Sequence, residues 1–169
     1  GIIDKDFLRK HRFYDTFLHF GIDNEELAQY FEKHFLDEII NFNELIPQTI
    51  EVLEYLKEKG YQLHVVSNGF HEVTNRKVEK SGLKKYFETV TSAEDAHAMK
   101  PDERIFEYSL NSANAEKAES VFIGDDWVAD VKGAQNFGLD IIFFDALKEN
   151  KSEEGLKTIQ NLEEIKNFL

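Results

Sequence analysis

A chain of 169 residues with 41% hydrophobic side chains is long enough for one domain carrying a small appendage, and it can supply a core. Its formal net charge of −13 repels phosphate polymers and anionic lipid surfaces, which excludes nucleic-acid strands and membranes as natural partners and obliges any small anionic substrate to find local cationic help. The absence of cysteine excludes disulfides and thiolate metal sites and makes the cytoplasm the default compartment.

Residues 1–46 show helical spacing rich in Phe and charge, with no strand pattern. The stretch "DKDFLRKHRFYDTFLHF" predicts one helix, closed by Gly21. "DNEELAQYFEKHFLDEI" predicts a second, with Asp23 as N-cap and Glu26 three residues later in a capping box. From Pro47 the pattern changes to strands alternating with helices. "PQTIEVLEYLKEKG" is a helix with Pro in its first turn, and "YQLHVVSNG" is a buried strand breaking into a turn. "HEVTNRKVEKSGL" is helical and closes on Gly82, "YFETVTS" is a short strand, and "PDERIFEYSLNSAN" is a second Pro-initiated helix. "SVFIGDD" is a strand, "VADVKGAQNFG" a helix closing on Gly138, "LDIIFFD" a strand, "KENKSEEG" a solvated loop and "NLEEIKNFL" a last helix. This alternation predicts an α/β fold, a doubly wound parallel sheet with helices on both faces, over 47–169. The longest apolar stretch, 140–147, is far short of the roughly 20 residues that a membrane span needs.

In such sheets the chemistry lies beyond the carboxyl ends of the strands. Ser67, Asn68 and Gly69 follow one strand, Lys100 stands in the loop ahead of a helix, and Asp125, Asp126 and Asp130 follow another strand. Carboxylates beside a lysine and a hydroxyl suit Mg²⁺ and a phosphate, because magnesium takes oxygen ligands and is commonly held by one or two carboxylates, with waters and substrate phosphate.

These residues resemble the haloacid dehalogenase superfamily. "HVVSNG", the Lys-Pro pair in "AMKPDERIF" and "IGDDWVAD" look like its second, third and fourth motifs, in order and at family spacing, over about 47–144. The helical opening resembles the superfamily's first type of cap, and "LRKHRFYDTFLHFGI" is most similar to the nucleotidase-like branch that includes pyrimidine nucleotidases. The resemblance implies a Rossmann-like core over 47–169 with a partial helical cap over 1–46. It also implies a Mg²⁺-dependent phosphatase acting on a small phosphorylated metabolite, a nucleoside monophosphate or a sugar phosphate. Ser67 would donate its hydroxyl to the phosphoryl group, with the Asn68 amide and the Gly69 N–H close by. Lys100 would neutralise charge on the nucleophile and the phosphoryl oxygens. Asp125 would be a Mg²⁺ ligand, and Asp130 would orient a metal-bound water or pair with Lys100. The motif leaves the role of Asp126 unspecified.

The first motif, Asp-x-Asp-x-Thr, which would carry the nucleophile, is absent; "DKD" at Asp4 to Asp6 runs into a helical stretch without the Thr. The chain is therefore expected to lack an upstream segment of roughly 10–40 residues, to be inactive alone, and to expose two unpaired strand edges that invite strand exchange between copies. Two other functions compete. A metal-free dehalogenase of the same superfamily usually lacks the acidic fourth motif, which is intact here, and a non-catalytic binding domain would have lost its nucleophile. The same residues also have structural alternatives. An Asp-rich turn can serve a helix N-terminus, Ser-Asn-Gly can be an ordinary turn, and Arg9 and Arg12 can belong to a solvated face. Trp127 can simply pack against the sheet edge. None of the six histidines has metal-ligand spacing; His71, just after the glycine turn, is the one that stands near the motifs.

Overall fold

The computed structural model describes residues 5–169. Asp4 of "DKD" lies outside that range, and Asp6 is in the first turn of a helix. The chain divides into two compact units, Gly1–Asn43 and Glu44–Leu169, against the boundary at residue 46 read from composition.

In the first unit, α1 (Lys5–His19) and α2 (Glu25–Ile39) form a helical pair. The Phe spacing puts Phe13 and Phe17 of α1 on rings of α2. Phe13 meets Phe35 edge-on at 5.5 Å between centroids and Phe17 meets Phe31 at 5.2 Å, a geometry worth about 0.5–1.5 kcal/mol per pair beyond burial. The cap of α2 falls one residue later than the sequence suggests. Asn24 accepts the Leu27 N–H at 2.9 Å, while Asp23 accepts the Tyr14 hydroxyl at 3.0 Å.

The second unit carries the alternating pattern. Its elements are α3 (Thr49–Glu58), β1 (His64–Ser67), α4 (His71–Lys80), β2 (Thr89–Ser92), α5 (Ala93–Ala96), α6 (Glu103–Ala113), β3 (Val121–Gly124), α7 (Gly133–Phe137), β4 (Asp140–Phe144) and β5 (Lys157–Ile159). Neither proline occupies a first helical turn. Pro47 precedes Gln48, the residue before α3, and after Pro101 it is Asp102 that caps α6, accepting the Arg104 N–H at 3.0 Å. The Arg104 guanidinium holds the Asp102 carboxyl down at about 2. Gly82 and Gly138 close their helices with positive φ, as the sequence suggests. The last helix winds as a 3₁₀ turn over Leu162–Asn167. The strand β5 has no forerunner in the sequence reading, because three residues are too short a run to show a period.

All strand pairs are parallel, and the sheet is in two pieces. β1 pairs with β2, with Ser67 beside Ser92; β3 pairs with β4, and β4 with β5. Successive side chains of a strand point to opposite faces, and β4 shows what that does. Ile141 and Phe143 pack with Ile105, Phe106, Val131 and Ala134, whereas Ile142 and Phe144 pack with Val52, Leu56, Ile159 and Ile165. Helices therefore cover both faces, and each of these buried β4 side chains contributes about 1.5–3 kcal/mol. Between the pieces lies a cavity of about 810 Å³, lined by Val65 and Val66 of β1, Phe122 and Ile123 of β3, and Lys100 and Asp130 at its polar end.

Candidate active site at the carboxyl ends of the strands

The turn after β1 is locked from within. Ser67 Oγ accepts the Gly69 N–H at 3.0 Å and the Thr74 hydroxyl at 3.3 Å. A hydroxyl has two acceptor positions and one proton, so the proton of Ser67 is left to donate outward. Gly69 is needed for space here, since a Cβ on it would stand 2.7 Å from Thr74 Oγ1. The Asn68 amide is committed in both directions: its Nδ2 donates to Lys100 O at 3.0 Å and its Oδ1 accepts the Lys100 N–H at 2.7 Å. Asn68 therefore clamps the Lys100 backbone to the β1 turn with one of its two Nδ2 protons and keeps the other uncommitted, while the Gly69 N–H is engaged by Ser67 Oγ.

Lys100 Nζ donates to Asp130 Oδ1 at 2.6 Å and to Val66 O at 3.2 Å, which leaves one of its three protons uncommitted. The pair is secluded, with side-chain exposures of 12% and 4%. Within that seclusion the attraction is only weakly screened.

The three aspartates after β3 have three different duties. Asp126 Oδ1 caps the following helix by accepting the N–H groups of Val128 and Ala129 at 2.9 and 2.7 Å. That helix opens as a wide turn, Trp127–Lys132, in which the N–H groups of Asp130 and Val131 both reach Asp126 O. The widened turn brings Asp130 back over the strand end, where its Oδ2 accepts the N–H groups of Asp125 and Asp126 at 3.1 and 3.0 Å. Such π-type turns are rare and concentrate at functional sites. With Lys100 on one oxygen and two amides on the other, Asp130 is a keystone of the turn. Asp125 is exposed, and its carboxylate makes no hydrogen bond or ion pair among the described residues. No group of three or more His, Cys, Asp or Glu able to hold a metal occurs among the described residues; in the aspartate cluster, Asp125 offers a whole uncommitted carboxylate and Asp126 one uncommitted oxygen.

Gly124, the last residue of β3, lies under that turn. A Cβ there would come within 2.4 Å of Asp130 Cβ and 2.5 Å of its Oδ2. Gly124→Ala should push Asp130 off its three donors at a cost of about 1–3 kcal/mol, read as a lowered urea midpoint with unchanged slope.

On the β2 side, His71 and Asp95 face each other across the loops that leave β1 and β2, with Nδ1 to Oδ1 at 2.7 Å. Trp127 packs edge-on against Phe143 at 5.3 Å. In the helical unit Arg12 lies 3.6 Å from Glu32 and over the Phe35 ring, and Arg9 is half-buried on α1.

Residues 5–144 match the family described as haloacid dehalogenase-like hydrolase. The chain belongs to that family. Within this hydrolase family, it is 32% identical over 110 residues to ribulose-1,5-bisphosphate 5-phosphatase of Halopiger xanaduensis, covering 65% of this chain and 46% of that protein. It is 30% identical over 145 residues to the pyrimidine 5′-nucleotidase PynA of Streptococcus pneumoniae, covering 84% of this chain and 60% of that protein. The chain thus spans about half the length of these two relatives. The magnesium-bound HAD-hydrolase YfnB of Bacillus subtilis shares the fold over 100% of this chain and 74% of its own, with a TM-score of 0.86 at 23% identity. No helix among the described residues is long and apolar enough to cross a membrane.

The three motif-like stretches thus gather at the carboxyl ends of β1 and β3: Ser67, the Lys100–Asp130 pair and Asp125. Thr74 escaped the sequence reading because a threonine inside a helix of Lys, Asn and Arg carries no signal of its own; only the turn that folds it back onto Ser67 gives it meaning.

Proposed function

We propose that this hydrolase cleaves phosphomonoesters of small metabolites, nucleoside monophosphates or sugar phosphates, in a Mg²⁺-dependent reaction. The observation that carries the reading is the secluded Lys100–Asp130 pair set between an outward-donating Ser67 hydroxyl and the free carboxylate of Asp125. Ser67 and the spare Lys100 proton supply donors for a phosphoryl group, while Asp130 and Asn68 hold Lys100 in place, so little reorganisation is needed as charge develops. The nucleophile is an aspartate from residues outside 1–169, which form an aspartyl-phosphate. Asp125 would hold Mg²⁺, which supplies charge neutralisation to the phosphoryl oxygens when bound. The donor set fits a magnesium ion that keeps several waters. Relatives named as a pyrimidine 5′-nucleotidase and a ribulose-1,5-bisphosphate 5-phosphatase support the substrate class, and the magnesium-bound YfnB supports the metal.

The test is phosphate release from a panel of nucleoside monophosphates and sugar phosphates, with and without Mg²⁺, by the protein extended upstream to its natural start. Asp125→Ala should lower Mg²⁺-dependent release by at least about 100-fold. The chain is also 31% identical over 97 residues to (S)-2-haloacid dehalogenase 4A of Burkholderia cepacia, covering 57% of this chain and 41% of that protein. Metal-independent halide release from 2-chloropropionate, with no phosphate release, would replace the phosphatase reading.

A further inference from the structure

The β2 flank holds a network for which the proposed phosphoryl chemistry has no use. Ser92 is fully buried, and its hydroxyl and N–H both reach Asp95 Oδ2, at 2.6 and 2.8 Å. The other Asp95 oxygen lies 2.7 Å from His71 Nδ1. Burial pushes the Asp95 carboxyl up, but the Ser92 hydroxyl and N–H together with His71 outweigh it and leave its pKa below the ordinary aspartate value. Asp95 is thus a carboxylate, and an acceptor so placed keeps the proton of His71 on Nδ1. The His71 N–H is in turn pinned to Glu94 Oε2 at 2.9 Å. The side chain itself is 59% exposed, and its Nε2 has no partner among the described residues. The supports run straight back to the site: Ser92 is the register partner of Ser67, one strand away, and His71 stands four residues after Ser67.

We infer that His71 is a specificity residue that contacts the leaving group of the ester, beyond the phosphoryl group, and selects leaving groups bearing a neutral hydroxyl. This rests on the phosphomonoester reading above. With Nδ1 fixed as a donor, Nε2 is an acceptor when the ring is neutral and a donor when it is charged. A hydroxyl, which both donates and accepts, satisfies Nε2 in either state. A second phosphate or carboxylate suits only one state, and it would also face Asp95, Glu94 and the neighbouring Glu72. The ring therefore favours polyol or sugar leaving groups without a further anion nearby.

Glycerol 1-phosphate and n-propyl phosphate differ only by hydroxyls, and the full-length protein should prefer the former by about 10-fold in kcat/KM, the worth of one good hydrogen bond. In His71→Phe that ratio should fall to about 1, in Asp95→Asn it should fall part-way, and His71→Gln, which can still donate and accept, should recover part of it. A ratio unchanged in His71→Phe overturns the proposal. Nitrogen chemical shifts of the His71 ring give an answer that does not need turnover. The Nδ1–H form is expected, with Nε2 moving on addition of glycerol 1-phosphate and not of n-propyl phosphate. The opposite tautomer, or no movement, overturns the proposal. Absence of phosphate release with a responding Nε2 overturns only the reaction.

Discussion

Asp130→Asn should be the most damaging isosteric change in the site, lowering stability by about 3–5 kcal/mol and phosphate release by at least about 100-fold. The carboxylate holds Lys100 on one oxygen and the N–H groups of Asp125 and Asp126 on the other. An amide in its place can satisfy the two N–H groups, but it turns a donor toward Lys100 and leaves an ammonium of 12% exposure without its counter-charge. Urea unfolding of Asp130→Asn, Lys100→Met and the double variant separates these effects. The double variant should lose less than the sum of the singles, because the cost of an orphaned buried charge is then absent, with a coupling of about 0.5–3 kcal/mol. Additive losses would show that the two groups do not act as a pair. Phosphate release should fall by at least about 100-fold in all three, since the proposed reaction uses the ammonium as well as its anchor.

Much of this arrangement was readable from residue order, and what was not readable has specific causes. Apolar runs broken by Ser-Asn-Gly and by Asp-Asp announce strand ends, and polar residues at strand ends of a parallel sheet gather at one edge whatever the details of packing. Residue order could not apportion the aspartates. Whether Asp126 caps a helix and Asp130 turns back depends on one extra residue per turn in Trp127–Lys132, and a helical period of 3.6 and a locally wider one look alike over six residues. For the same reason residue order could not show that one Asn68 amide proton goes to Lys100 O and the Gly69 N–H to Ser67 Oγ. A sequence shows which groups can donate, and only the fold shows which have already done so. The cap of α2 moved from Asp23 to Asn24 because adjacent short polar side chains are equivalent in sequence, and Tyr14 decides between them.

Residues 1–169 alone should show a divided sheet whose two inner edges exchange amide hydrogens quickly, and the upstream-extended protein should protect them. Among the described residues β1 is paired only with β2, and β3 only with β4, so each has a free edge on the cavity of about 810 Å³. Unpaired backbone groups beside apolar side chains such as Val65 and Ile123 are unfavourable, because those groups need water and those side chains avoid it. A further extended segment would relieve both. It would run parallel between β1 and β3 and end next to Lys100, where the proposed nucleophile is required. β4, hydrogen-bonded on both sides to β3 and β5, is the internal reference. In residues 1–169 alone, β1 and β3 amides should exchange at least about 100-fold faster than those of β4, and the protein should self-associate through the free edges. In the extended protein, that difference should close and the melting temperature should rise. A monomeric 1–169 with β1 and β3 as protected as β4 would mean that the cavity closes by itself. The nucleophile would then have to be sought elsewhere than in a strand between them.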